Sequence, residues 1–87
     1  MSGKPAPLSP DFVPLSALRA GEVGIIAALS GGHNLRSRML TLGLTPGAEV
    51  TVLQNYGRGP MIVRVRDARV ALGRGEAEKV LVRRRAE

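Results

Sequence analysis

Eighty-seven residues allow one small domain, which buries only about 60–65% of the surface its extended chain exposes; a deep two-lobed active site is excluded. The chain has no cysteine, so a disulfide scaffold, a thiolate metal centre and a thiol nucleophile are excluded as well. Thirteen basic against seven acidic residues give a formal charge of +6, a balance that suits anionic partners such as nucleic acid, lipid head groups or an acidic protein face.

Residues 1–12, with Pro5, Pro7 and Pro10 among serine and glycine, read as an extended tail from which Leu8 and Phe12 can still dock on a core. Pro14 to Leu18 reads as one turn of helix ended by Arg19-Ala20-Gly21. Glu22 to Leu29 reads as the first strand, with Val23, Ile25, Ala27 and Leu29 alternating onto one face. Gly24 in mid-strand marks a bulge or the close approach of another element. The longest apolar run, Ile25 to Leu29, is too short to span a bilayer, and the N-terminus lacks a basic segment followed by an apolar one. A soluble, cytoplasmic protein is the expectation.

Gly31-Gly32-His33-Asn34 leads into a short helix. Asn34 is placed to cap it, and Leu35, Met39 and Leu42 fall on one face. Gly43 supplies the left-handed stop and Leu44 folds back onto that face. Thr45-Pro46-Gly47 then turns the chain into a strand over Ala48 to Leu53. Asn55 to Pro60 is a loop. Met61, Val63 and Val65 alternate with Ile62, Arg64 and Arg66 in a third strand with one basic face, which Asp67-Ala68 turns into Arg69 to Leu72. Gly73 to Glu78 is a one-turn connection, and Val80 with Val82 closes the sheet. Five short antiparallel strands with one or two short helices describe a mainly β, SH3-like five-stranded barrel over residues 13–84, followed by a basic end at 85–87.

With these residues in view, the chain resembles the FeoA family. The shared pattern comprises Leu15, Leu18, Gly21, Gly24 and Ile26; Arg38, Leu42-Gly43 and Pro46-Gly47; Val50, Val52, Val63 and Val65; then Leu72, Glu76-Ala77 and Val80 with Val82. The ordered run from Arg38 to Gly47 is its most specific piece. The resemblance implies an SH3-like barrel, and it implies a part in bacterial Fe²⁺ uptake through the cytoplasmic GTP-binding portion of a FeoB-type transporter. Similar domains end metal-dependent repressors of the DtxR type, where a DNA-binding helix pair precedes the barrel. The proline-rich extension and Arg83-Arg84-Arg85 fall outside the shared pattern.

Chemistry of its own is sparse. No Gly-Lys-Ser or Gly-Lys-Thr ends a glycine-rich phosphate loop. His33 is the lone histidine and the carboxylates are scattered, so neither a metal site nor a catalytic base with a neighbouring nucleophile is expected, and no cofactor is implied. The expected function is therefore that of a non-enzymatic surface. Gly31, Gly32, His33, Asn34, Arg36 and Arg38 are the candidate partner-binding residues, since free amides at a helix start beside a cation suit a carboxylate. Arg38 either projects to solvent beside Arg36 or clamps backbone carbonyls near Leu42-Gly43; its place in the family pattern favours the second. A rival reading binds nucleic acid through Arg64, Arg66, Arg69, Arg83 and Arg84, with Arg85 adjoining. Poor aromatic content speaks against sequence-selective recognition of single strands. In a third reading, an exposed edge over Met61 to Arg66 pairs between copies.

Overall fold

Residues 12–85 are described by a computed structural model, in which apolar alternation produces six short strands. The order is β1 (Phe12–Pro14), a 3-10 turn (Leu15–Ala17), β2 (Val23–Leu29), α1 (His33–Thr41), β3 (Glu49–Gln54), β4 (Met61–Val65), β5 (Ala68–Leu72), α2 (Arg74–Glu78) and β6 (Val80–Arg84). All pairings are antiparallel, in the order β1-β6-β2-β3-β4-β5. The mainly β architecture is the expected one. The strand beyond the expected five is β1, in which Phe12, Val13 and Pro14 pair with Arg83, Val82 and Leu81. The expected tail lies outside the described residues up to residue 11.

One core holds the sheet together. Leu15 and Leu18 from the 3-10 segment, Ile26, Met39, Leu44, Val50, Val52, Met61, Val63, Val65, Leu72, Ala77, Val80 and Val82 are all at most 1% exposed, and no polar or charged residue is buried among the described residues. Because strands from both ends of the order feed the same cluster, the sheet is rolled around it.

The phase of β2 differs from the expected one. Gly24 and Ile26 face the core, whereas Val23 and Ile25 are half-buried and Ala27 is exposed. Ile26 pairs with Val82 but Ala28 with Leu81, so Ala27 is an extra residue, a bulge that reverses the alternation and returns Leu29 to the core side. Gly24 answers to close approach: a Cβ there would stand 3.1 Å from Leu18 Cδ1 and from Val82.

The reversal after α1 follows the expected route. Gly43, at φ +94°, lets its amide donate to the Leu40 carbonyl at 3.0 Å and the Leu44 amide donate to Met39 at 2.9 Å. These are the paired bonds of a Schellman motif, and buried Leu44 and Met39 supply its apolar contact. The Ala48 amide donates to Thr45 at 2.9 Å across Pro46-Gly47, with Gly47 at φ +91°, as a type II turn requires. That turn is sewn to β2 by Gly47 N–H to Ile26 O at 2.7 Å and Ile26 N–H to Ala48 O at 2.9 Å.

The hairpin turn sits one residue earlier than expected: Val65 pairs with Ala68, so Arg66-Asp67 is the two-residue loop. Arg66 is the one non-glycine with positive φ among the described residues, at +58°. A left-handed arginine costs about 1–2 kcal/mol, of which glycine's greater freedom in the unfolded chain takes back about 0.5–1. Arg66→Gly is therefore expected to stabilise the domain by about 0.5–1 kcal/mol, read as a raised thermal midpoint.

Asn55 ties the loop after β3 to two other elements. Its Nδ2 donates to the carbonyls of Ser16 at 3.1 Å and Leu18 at 2.6 Å, while its Oδ1 accepts from Gly57 N–H at 3.0 Å and from Arg74 Nη1 at 2.6 Å. Asn55→Ala leaves the Ser16 and Leu18 carbonyls and the Arg74 guanidinium, all in part-buried bonds, without this partner and is expected to cost about 1–3 kcal/mol, measured by urea denaturation.

Candidate functional site

Helix α1 divides cleanly. Met39 is buried, and Leu35 and Leu42 pack against the core, as their spacing required. The rest of Gly31 to Thr41 is exposed, including Gly31, Gly32, His33, Asn34, Arg36 and Arg38. The cap is not Asn34. The helix begins two residues earlier, with Gly32 as N-cap in an extended conformation and no side-chain cap bond, because Gly31 at φ +97° turns the chain before Asn34 is reached. Asn34 thus lies within the first turn, whose leading amides lack carbonyl partners inside the helix. Gly31 is held tightly: the Ser30 amide donates to the Lys79 carbonyl at 2.8 Å, and a Cβ on Gly31 would come within 2.6 Å of Leu35 Cδ2 and 3.0 Å of Lys79 Cδ.

Arg38 does neither of the two things expected of it. Its guanidinium pairs with Glu76, and the other carboxylate oxygen of Glu76 accepts the Gly73 amide at 3.0 Å, so one carboxylate joins α1 to the start of α2. The side chains of His33 and Arg36 make no hydrogen bond or ion pair within the chain among the described residues.

One residue on this surface is absent from the sequence reading. Leu40 is 46% exposed, and helical spacing sets it on one face with His33, Arg36 and Ser37. The signal was available: a leucine outside the Leu35, Met39 and Leu42 stripe must point away from the core. α1 therefore presents an apolar spot rimmed by a cation, an imidazole and a hydroxyl, an arrangement suited to a protein surface.

The second basic surface is split by the fold. Arg64, Arg66 and Arg69 line a shallow open depression with Ala48, Glu49, Thr51 and Asp67. Two strands, β3 and β2, intervene before β6, so Arg83 lies three strand spacings from Arg64, about 14 Å along the sheet. Arg84 pairs with Glu22 at 3.5 Å and Arg85 pairs with Glu49. Arg83 and Arg84 thus do not extend the Arg64 patch, since register sets β6 beside β1 and β2, and Arg85 meets its border only through the carboxylate of Glu49. Met61 to Val65 is not an edge either: β4 is paired on both sides, to β3 and β5.

Among the described residues no group of three histidine, cysteine, aspartate or glutamate side chains is placed to hold a metal ion. No described helix is long and apolar enough to cross a membrane.

The fold and these surfaces define a small SH3-like domain whose exposed chemistry is a helix face and a basic hairpin. The profile of the family described as the FeoA domain matches residues 13–84, and the chain belongs to that family. It is 30% identical over 69 residues to a candidate Fe(2+) transport protein A of Methanocaldococcus jannaschii, covering 79% of this chain and 83% of that one. The crystal structure of an iron uptake regulatory protein, FeoA, is 43% identical with a TM-score of 0.81, over 85% of this chain and 99% of that one. Stenotrophomonas maltophilia FeoA, crystallised with zinc and described as an SH3 domain protein, is 29% identical with a TM-score of 0.70, over 78% and 86% of the two chains.

The Arg38 and Glu76 side chains are 51% and 28% exposed, so solvent screens their attraction. A double-mutant cycle with Arg38→Ala and Glu76→Ala is expected to give a coupling below about 1 kcal/mol that shrinks in high salt.

Proposed function

We propose that this protein is a non-enzymatic accessory of ferrous iron uptake that docks, through the outer face of α1, on the cytoplasmic GTP-binding portion of a FeoB-type transporter. Family membership supports the pathway: one relative is named as a candidate Fe(2+) transport protein, and another has been suggested as a ferrous iron transport activating factor. The observation that carries the docking surface is the exposed Leu40 within the rim of His33, Arg36 and Ser37, on a helix whose opposite face is fixed to the core. Nothing in the chain's own packing uses these groups among the described residues.

The mechanism is a shift of populations. A docked domain regulates the transporter only if it binds the GTP and GDP states unequally, and a tenfold difference in affinity corresponds to about 1.4 kcal/mol of coupling. Arg36 suits a carboxylate on the partner, and the first-turn amides of α1 strengthen that preference. Cytoplasmic placement follows from the same contact.

Retention of the detergent-solubilised transporter on immobilised protein is the test, run with GDP and with a non-hydrolysable GTP analogue. Leu40→Asp and Arg36→Glu are expected to lower retention at least tenfold while leaving the thermal midpoint within a few degrees. Equal retention by both variants in both nucleotide states would remove α1 as the docking face.

A further inference from the structure

The free edge of the sheet carries chemistry that the α1 surface does not use. β5 pairs with β4 on one side, from Val65 with Ala68 to Met61 with Leu72, and ends the strand order. Among the described residues no backbone hydrogen bond reaches its other side. Sheets commonly guard such an edge with one charge. Here Arg69 stands directly opposite Arg64, a like-charge cross-strand pair that disfavours the hairpin by itself, and Arg66 adds a third cation beside them. None of the three has an acidic partner within salt-bridge reach among the described residues. Next to them a second shallow depression runs along the same strands, lined by Leu53, Gln54, Ile62, Val70 and Ala71, and Arg69 borders both.

The geometry points to an acidic, extended protein segment that adds to β5 as a seventh, antiparallel strand. This goes beyond the α1 docking and does not depend on it. Backbone amides and carbonyls of β5 supply the pairing, and the side chains supply the register. In an antiparallel partner the residue opposite Ala71 comes two positions before the residue opposite Arg69, and both point to the same face. The fitting segment therefore carries an apolar residue beside Ala71, extending the depression that Ile62 and Leu53 continue on the neighbouring strands, and two residues later a carboxylate beside Arg69, on the side away from Arg64. That carboxylate relieves the repulsion of the arginine pair.

The same surface fits other occupants poorly. No aromatic residue lies in either depression for a base to stack on, Arg85 is engaged by Glu49, and Arg83 is too far along the sheet to continue a phosphate track. A second copy paired edge to edge would bring two sets of Arg64, Arg66 and Arg69 together.

Fluorescence anisotropy of the labelled peptide Thr-Val-Thr-Glu-Thr-Val-Thr, titrated with the full chain at low salt, tests the proposal. Saturable binding is expected, with amide NMR shifts concentrated at residues 68–72. Arg69→Glu should weaken it at least tenfold and Arg64→Ala at least threefold, whereas Arg36→Glu should leave it unchanged. A peptide with lysine in place of glutamate should recover binding to the Arg69→Glu variant. On the unaltered protein, N-methylating the peptide at alternate backbone positions facing β5 should also weaken binding at least tenfold, which checks strand addition without relying on any variant's folding. No saturable binding, or binding that survives either N-methylation or Arg69→Glu, would overturn it. So would tighter capture of a twenty-nucleotide single strand or of phosphatidylglycerol vesicles than of the peptide, or dimerisation through β5 in sedimentation.

Discussion

The structure depends on the chain reversal at the end of α1. Gly43 in the left-handed region lets Leu44 donate to Met39, and the two buried side chains close an apolar contact beneath that bond. Four residues on, the Pro46-Gly47 turn is bonded to Ile26 from both sides, so the helix end, the turn and β2 form one unit. A nine-residue helix has little stability of its own. Fixed at its C-terminus and along Leu35, Met39 and Leu42, it becomes a rigid lid, and His33, Arg36 and Leu40 are held outward on a surface that does not have to be ordered on binding.

The polar contacts between elements are few and local. Asn55 joins the 3-10 segment, its own loop and Arg74. Glu76 caps α2 and holds Arg38. Arg84 and Arg85 pin the end of β6 to Glu22 and Glu49. With no polar group buried among the described residues, the core is a matter of apolar volume, and the charged contacts set how the peripheral turns lie on it. Two of the surfaces left exposed differ in character: α1 presents an apolar spot with a polar rim, and the β4–β5 hairpin a sheet edge beside opposed arginines.

Helix α1 was legible in sequence because its signals are local: Leu35, Met39 and Leu42 mark the face, Gly43 the stop, Pro46-Gly47 the turn. Its start was misplaced because Asn34 is a good cap by type, while the actual cap follows Gly31 at φ +97°, where any side chain would collide with Leu35 and Lys79. The alternation in β2 misled for a similar reason. Ala27 looks like any apolar strand residue, and only pairing with β6 reveals it as the bulge that reverses the inward face. The pairing of Arg38 with Glu76 joins residues thirty-eight positions apart, beyond the reach of any local pattern.

By itself the sequence determined the strand-rich class, the helix with its apolar face and glycine stop, the alternating faces of β3 and β4, and the absence of cysteine chemistry, since these follow from periodicity and residue type over a few positions. Tertiary structure alone decided which arginines are neutralised and which are left free. Strand order places Arg83 apart from Arg64, sends Arg85 to Glu49, and leaves Arg69 facing Arg64 on an open edge. Charge is read one residue at a time in a sequence, but its meaning depends on neighbours that only the register of distant strands supplies.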